Sequence, residues 1–247
     1  MPRRKKITTP SLEIFALSNL GYAKEDNEDS KFISDDNILF AIADGMGGEP
    51  YGEIASEIAV KSLEQMWREE HPYSLPEDDH PEWMERAFDF ANENILRHTE
   101  RDTRTYGMGT TMVAALLTDR GATIGNVGDS RAILVEGRRG STITRDHVES
   151  EFDLSGRRSG RKRVGLTRRL GGDYSVQTDI FSVALLPGST LLLCSDGLHG
   201  VVPFEEIIDM VHDNHVAEEC CEALVETALE YGGPDNITVI VCRILDN

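Results

Sequence analysis

Acidic residues in this chain recur where a run of apolar residues begins or ends. Asn27-Glu28-Asp29 precedes one such run, Asp44-Gly45 follows residues 38–43, Asp196-Gly197 follows residues 191–194, and Asp235-Asn236 precedes residues 237–244. Any single Asp-Gly is explained as a turn, because aspartate tolerates turn geometry and glycine accepts a positive φ. Turns alone leave two things unexplained. Asp44-Gly45 is followed by a second small pair, Gly47-Gly48, and Asp196-Gly197 leads from a strand into a helix. Hard divalent cations take carboxylate and backbone carbonyl oxygens and keep room for water, so acids at strand ends beside a glycine carbonyl suit magnesium or manganese. Zinc fits less well, since none of the seven histidines has His-x-x-x-His spacing.

The elements that must present these acids follow from periodicity. Residues 12–17 and 38–43 read as apolar strands, and Ile54, Ala55, Ile58, Ala59, Leu63, Met66 and Trp67 recur at helical spacing. A second amphipathic helix carries Met84, Ala87, Phe88, Ala91, Ile95 and Leu96, with both tryptophans, Trp67 and Trp83, on apolar faces. Residues 111–117, 123–127 and 132–135 predict a β-meander, which puts Gly128-Asp129-Ser130 at a strand junction. Strands are expected again over 175–183 and 190–194, then helices around 204–211 and 216–229, and a last strand over 237–244. This order does not alternate regularly enough for a doubly wound parallel sheet. It predicts an α+β fold, a four-layer αββα sandwich of two antiparallel sheets with helices on both outer faces.

Composition sets the class. The 247 residues are 39% hydrophobic and 28% charged, enough for one soluble domain with a core. A net charge of −19 argues against a general nucleic-acid binder, which needs surplus lysine and arginine to displace counterions. Residues 1–10 are expected to be a flexible basic tail before a single domain over 11–247. Cys194, Cys220, Cys221 and Cys242 form no C-x-x-C pair and are expected to be reduced core residues. With no run of about 18 apolar residues and no apolar signal segment, a cytoplasmic protein off the membrane is expected.

Five motifs, in order, resemble the metal-dependent protein phosphatases of the 2C type, from about Ser18 to Arg243. They are Gly21-x-x-Lys24-x-x-Asn27-Glu28-Asp29-Ser30, Ala43-Asp44-Gly45-Met46-Gly47-Gly48, Gly109-Thr110-Thr111 with Asn126-Val127-Gly128-Asp129-Ser130-Arg131, Leu193-Cys194-Ser195-Asp196-Gly197-Leu198, and Gly233-x-Asp235-Asn236-Ile237-Thr238. The ordered set is specific where each motif alone is weak. The resemblance implies a serine/threonine protein phosphatase in which Asp44, Asp196 and Asp235 bind two catalytic manganese or magnesium ions. Asp44 would bridge the ions, the Gly45 carbonyl would be a further ligand, and Glu28 and Asp29 would complete the site in part through water. In such enzymes the ions lower the pKa of a bridging water so that hydroxide attacks phosphorus in line, without a phosphoenzyme. Asp129 would orient that water or help bind a third, weaker ion with Asp196; its bland alternative is a turn residue.

The chain departs from that family pattern in three places. Lys24 stands where an arginine usually grips the substrate phosphate, and its point charge should orient phosphate less well than a planar fork. Met46 replaces the histidine common in eukaryotic members, as in bacterial ones, so water is expected to protonate the leaving group. Residues 148–165 leave room for only a short flap before Leu166-Thr167-Arg168-Arg169-Leu170-Gly171, and its basic residues 157–163 are read either as a solvated loop or as an attractor for acidic phosphoproteins. His147 is expected to pack near the flap and not to act in catalysis. The expected partners are phosphorylated proteins and a cognate serine/threonine kinase, the chain itself being a monomer. Two alternatives stay open: a non-catalytic regulator of the same fold, and a metal phosphoesterase for small molecules.

Overall fold

The computed structural model describes residues 11–46, 51–119, 121–149 and 165–245. The basic tail and most of the flap, including residues 157–163, lie outside the described residues, as do Gly47 and Gly48.

Among the described residues, ten strands form two five-stranded sheets whose hydrogen-bonded neighbours are all antiparallel. The first sheet contains β1 (Leu12–Asn19), β10 (Ile237–Ile244), β9 (Ser189–Cys194), β6 (Arg131–Glu136) and β7 (Arg139–Thr142), in that spatial order. The second contains β2 (Asp29–Ile33), β3 (Leu39–Asp44), β4 (Met112–Leu117), β5 (Gly121–Val127) and β8 (Asp179–Ala184). Helices α1 (Gly52–Glu70) and α2 (His80–Arg101) follow β3, α3 (Asp196–His199) follows β9, and α4 (Phe204–Asp213) and α5 (Ala217–Glu230) lead to β10.

Alternating side chains along each strand face opposite layers, and this sets the sandwich. On β3, Leu39, Ala41 and Ala43 pack with Leu63, Trp83 and Phe88 of α1 and α2, whereas Phe40 and Ile42 point the other way. They meet Leu191 and Leu193 of β9 and Ile240 of β10, the layer that joins the sheets. Across β9, Leu192 and Cys194 face Ile207, Leu224 and Val225 of α4 and α5. The inner strands β3, β4, β5, β9 and β10 are buried on both faces, which is why they read as continuous apolar runs. The αββα sandwich expected from the sequence is therefore present, Trp67 and Trp83 lie in its core, and all four cysteines are buried thiols.

Two expectations need correction. The strand expected over 175–183 begins only at Asp179, because the ladder with β5 starts at the pairing of Asp179 with Asn126. The short edge strand β7 was not expected: three of its four residues are exposed, so it has no apolar signature, and it is held by its hairpin with β6.

Candidate metal centre and its surroundings

The register of β2 against β3 sets Asp29 opposite Asp44. The backbone of Asp44 is held from β4: its N–H donates to Thr111 Oγ1 at 3.0 Å, and its carbonyl accepts from the Thr110 hydroxyl at 2.8 Å. Gly45 follows in a place only glycine fits. A Cβ there would stand 2.4 Å from the Gly52 carbonyl oxygen and 2.7 Å from that of Glu28. Its N–H donates to the Glu28 carbonyl at 3.0 Å, which draws the 28–29 segment against the start of α1.

The other sheet supplies its acids at the matching end. Asp196 opens α3 directly after β9, and Asp235 precedes β10 by two residues. Ser195 stitches the sheets together: its hydroxyl accepts from Thr238 N–H at 3.0 Å and donates to Asp29 Oδ2 at 2.9 Å. Asn236 does the same for the first segment. Its Oδ1 accepts from Glu28 N–H at 2.8 Å, and its Nδ2 donates to the carbonyls of Leu20 and Asp26 at 2.8 and 3.1 Å.

Asp129 sits on the turn between β5 and β6, after Gly128 at φ 104°, a backbone region that glycine favours. His147 clamps this turn from both sides. Its N–H donates to the Gly128 carbonyl at 3.0 Å, and its Nδ1 accepts from Gly128 N–H at 3.1 Å. With Nδ1 accepting, the ring proton belongs on Nε2, which faces Asp179 Oδ2 at 3.2 Å. His147 is thus buried beside the described ends of the 148–165 segment, where its carbonyl accepts from Thr167 N–H at 2.8 Å. From α3, His199 Nε2 lies 3.0 Å from the Asp129 carbonyl, and burial lowers its pKa to about 4, so it donates there as a neutral ring. Arg131 forks onto Asp146 at 2.9 and 2.6 Å beneath the same turn.

The carboxylates share one strained electrostatic field. Burial raises the pKa of Asp29 to about 6, against the hydroxyl bonds of Ser195 and Thr238 and with the repulsion of Asp196 and Asp235. Burial, followed by Asp29, Asp196, Asp129 and Asp235, raises Asp44 well above the carboxylate range. Asp129 is pushed to about 7 by burial, then by Asp196 and Asp146. Asp44 therefore lies within electrostatic range of four other aspartates from both sheets, Asp29, Asp129, Asp196 and Asp235. Lys24 reaches into this group, its Nζ standing 2.6 Å from Asp235 Oδ1 and 3.3 Å from Glu28 Oε2.

Does this set fit divalent ions? Among the described residues, no three His, Cys, Asp or Glu side chains already converge as a ready-made cage. Like charges without counter-ions repel, and Lys24 already occupies Asp235. The donor chemistry nevertheless fits: all are oxygen ligands, and Asp29 Oδ1 is buried with no hydrogen-bond partner. A buried unpaired carboxylate oxygen is costly, and a cation removes that cost.

The candidate site residues Lys24, Glu28, Asp29, Asp44, Gly45, Asp129, Asp196 and Asp235 thus fall in one region. Sequence reasoning assigned no role to Ser195, Asn236, Asp146 or His199. The first two stand beside predicted ligands, but their bonds span 166 and 208 residues, a separation that local patterns do not register.

Comparison with known proteins gives this arrangement a lineage. The family model described as protein phosphatase 2C matches residues 21–238. The serine/threonine phosphatase stp of Listeria monocytogenes is 34% identical over 232 residues, covering 90% of this chain and 91% of that protein. The Staphylococcus aureus serine/threonine phosphatase Stp1 superposes with a TM-score of 0.85 at 28% identity, covering all of both chains. The catalytic domain of the serine threonine protein phosphatase PstP, solved in complex with two manganese ions, superposes with a TM-score of 0.82 at 31% identity, over 95% of this chain and 99% of that one. Strand-end acids in an αββα sandwich, a family match over most of the length and relatives above 30% identity agree: the chain belongs to the protein phosphatase 2C family.

Proposed function

We propose that this chain is a metal-dependent serine/threonine protein phosphatase whose metal centre is formed by Asp29, Asp44, Asp196 and Asp235, with Glu28 and the Gly45 carbonyl completing it. The observation behind this reading is the shared field of Asp29, Asp44, Asp129, Asp196 and Asp235, five acids delivered by strand ends of both sheets. Two manganese or magnesium ions would be held there, with Asp129 and Asp196 available to a third, weaker one. When bound, such ions lower the pKa of water and neutralise charge on phosphate.

The chain's own residues do the rest. Lys24, on the segment before β2, holds a phosphate oxygen as a point charge, giving attraction with little orientation. Asp129 accepts a hydrogen bond from the attacking water, with its turn fixed by His147 and His199. The leaving oxygen takes its proton from water, because His147 and His199 are already engaged and position 46 is methionine. Phosphorylated proteins are the proposed substrates, with a cognate kinase supplying them. Among the described residues no helix is long and apolar enough to cross a membrane.

The test compares a phosphoserine peptide with p-nitrophenyl phosphate, each with manganese and with chelator. Peptide hydrolysis that needs manganese is expected. Turnover of the small ester alone would favour a small-molecule phosphoesterase, and no turnover of either would favour a non-catalytic regulator.

A further inference from the structure

Beyond the flap, two adjacent arginines differ in what they touch. Arg168 is committed: Nη1 lies 2.6 Å from Asp179 Oδ1, 3.2 Å from His147 Nε2 and 3.3 Å from the Gln177 carbonyl. Arg169 has no hydrogen bond or ion pair among the described residues, and its Nε is buried without an acceptor. A shielded guanidinium donor left unpaired costs about 1–3 kcal/mol, so this group calls for an anion. Both arginines line a cavity of about 190 Å³, together with Thr167, Gly172, Ser175 and Gln177. Among its described lining residues the one acid, Asp173, is solvent-exposed, so water screens its charge more than that of the Arg169 Nε.

The cavity is tied rigidly to the metal centre. Leu170 pairs with Thr110, which pairs with Gly45. The Arg169 stem crosses Gly109 so closely that a Cβ there would lie 2.8 Å from its Cδ, and the Gly109 carbonyl accepts from Met46 N–H at 3.1 Å. Asn92 of α2 fixes the far side, accepting from Gly171 N–H at 2.7 Å and donating to the Asp173 carbonyl at 2.8 Å. Two strand spacings of about 4.8 Å separate Gly45 from Leu170, or ~10 Å, which an extended peptide spans in about three residues of ~3.3 Å each.

We infer that the Arg169 cavity is a substrate subsite that receives an anionic side chain, carboxylate or phosphate, about three residues from the serine or threonine being dephosphorylated. This rests on the phosphatase reading given above. A planar fork suits both anions, and in a chain of net charge −19 an acidic substrate segment must find its cation locally.

The experiment uses phosphoserine peptides in which one aspartate is walked from four residues before the phosphoserine to four after it, in an alanine background. A parallel set replaces that aspartate with a non-hydrolysable phosphonate, which tells a carboxylate preference from a phosphate preference. Wild type should show kcat/KM raised roughly tenfold at a position about three residues away, the low end for a charge-assisted hydrogen bond. Arg169→Gln should bring that ratio to within twofold of one, Arg169→Lys should keep part of it, and Arg169→Glu should favour lysine at the same position. The wild-type ratio should also fall as salt is raised, a readout that needs no variant to fold. A flat aspartate profile while peptides are turned over, or a preference that survives in Arg169→Gln or in high salt, would overturn the inference. Absence of all manganese-dependent peptide turnover would instead sink the phosphatase reading beneath it.

Discussion

Removing divalent ions should leave a protein that gains stability as pH falls, the reverse of its metal-bound form. Asp29 is the group from which the size can be worked. Burial and its acidic neighbours raise its pKa from 3.8 to about 6 in the fold. A carboxyl whose folded value is raised contributes stability that is present below pH 3.8 and lost as pH rises through about 6. That difference is worth roughly 3 kcal/mol. At pH 5, one unit below the folded value, about 1.4 kcal/mol of this is recovered. In a domain of this size each kcal/mol moves Tm by about 2–4 °C, so Asp29 alone predicts a rise of about 3–6 °C between pH 8 and pH 5 in chelator. The assay is thermal unfolding at both pH values, with chelator and with manganese, for wild type and Asp29→Asn. The chelated variant should be more stable than wild type at pH 8, lose about half of that advantage by pH 5, and lose the rest only below pH 3.8. With manganese, wild type should be the more stable at pH 8, since the ligands must be ionised to bind. If chelated wild type and Asp29→Asn unfold with the same pH dependence, the strained-carboxylate argument fails.

Two further outcomes follow from single contacts. Lys24→Arg should lower KM for a phosphopeptide several-fold, because a guanidinium fork orients two phosphate oxygens; an unchanged or higher KM would count against Lys24 as the phosphate ligand. His147→Asn keeps an acceptor near the Nδ1 position for Gly128 N–H, so kcat should stay within a few-fold of wild type, while His147→Ala should lower kcat by about tenfold and destabilise the fold by ~1–3 kcal/mol. Equal losses of kcat in the two variants would show that the bond to Gly128 does not position Asp129.

Much of the sandwich was legible because strands buried on both faces leave unmistakable apolar runs, as at Leu39 to Ala43 and Leu191 to Cys194. Those same runs hide which face is which. That Phe40 points to the sheet interface and Leu39 to the helices emerges only once the layers are assembled. Edges were hardest to see. At β7, Gly140 makes room for Ile208 of α4, whose side-chain carbon would lie 2.1 Å from a Cβ there, a tertiary reason with no trace in local periodicity. The acids of the centre were readable as residues at strand ends. The stitches that hold them, Ser195 to Asp29 and Asn236 to Glu28, were not, because each joins segments from different sheets. Arg169 shows the same limit: a second arginine after Arg168 looks like surface charge until its buried Nε is seen without a partner.

The central claim is that phosphate ester hydrolysis depends on cations held by these aspartates. Its most direct test is phosphopeptide hydrolysis by wild type and Asp196→Asn, each with manganese and with chelator. The account predicts turnover by wild type in manganese, none in chelator, and a loss of at least about a hundredfold in the variant with its fold intact. Full activity of Asp196→Asn, or of wild type in chelator, would contradict it.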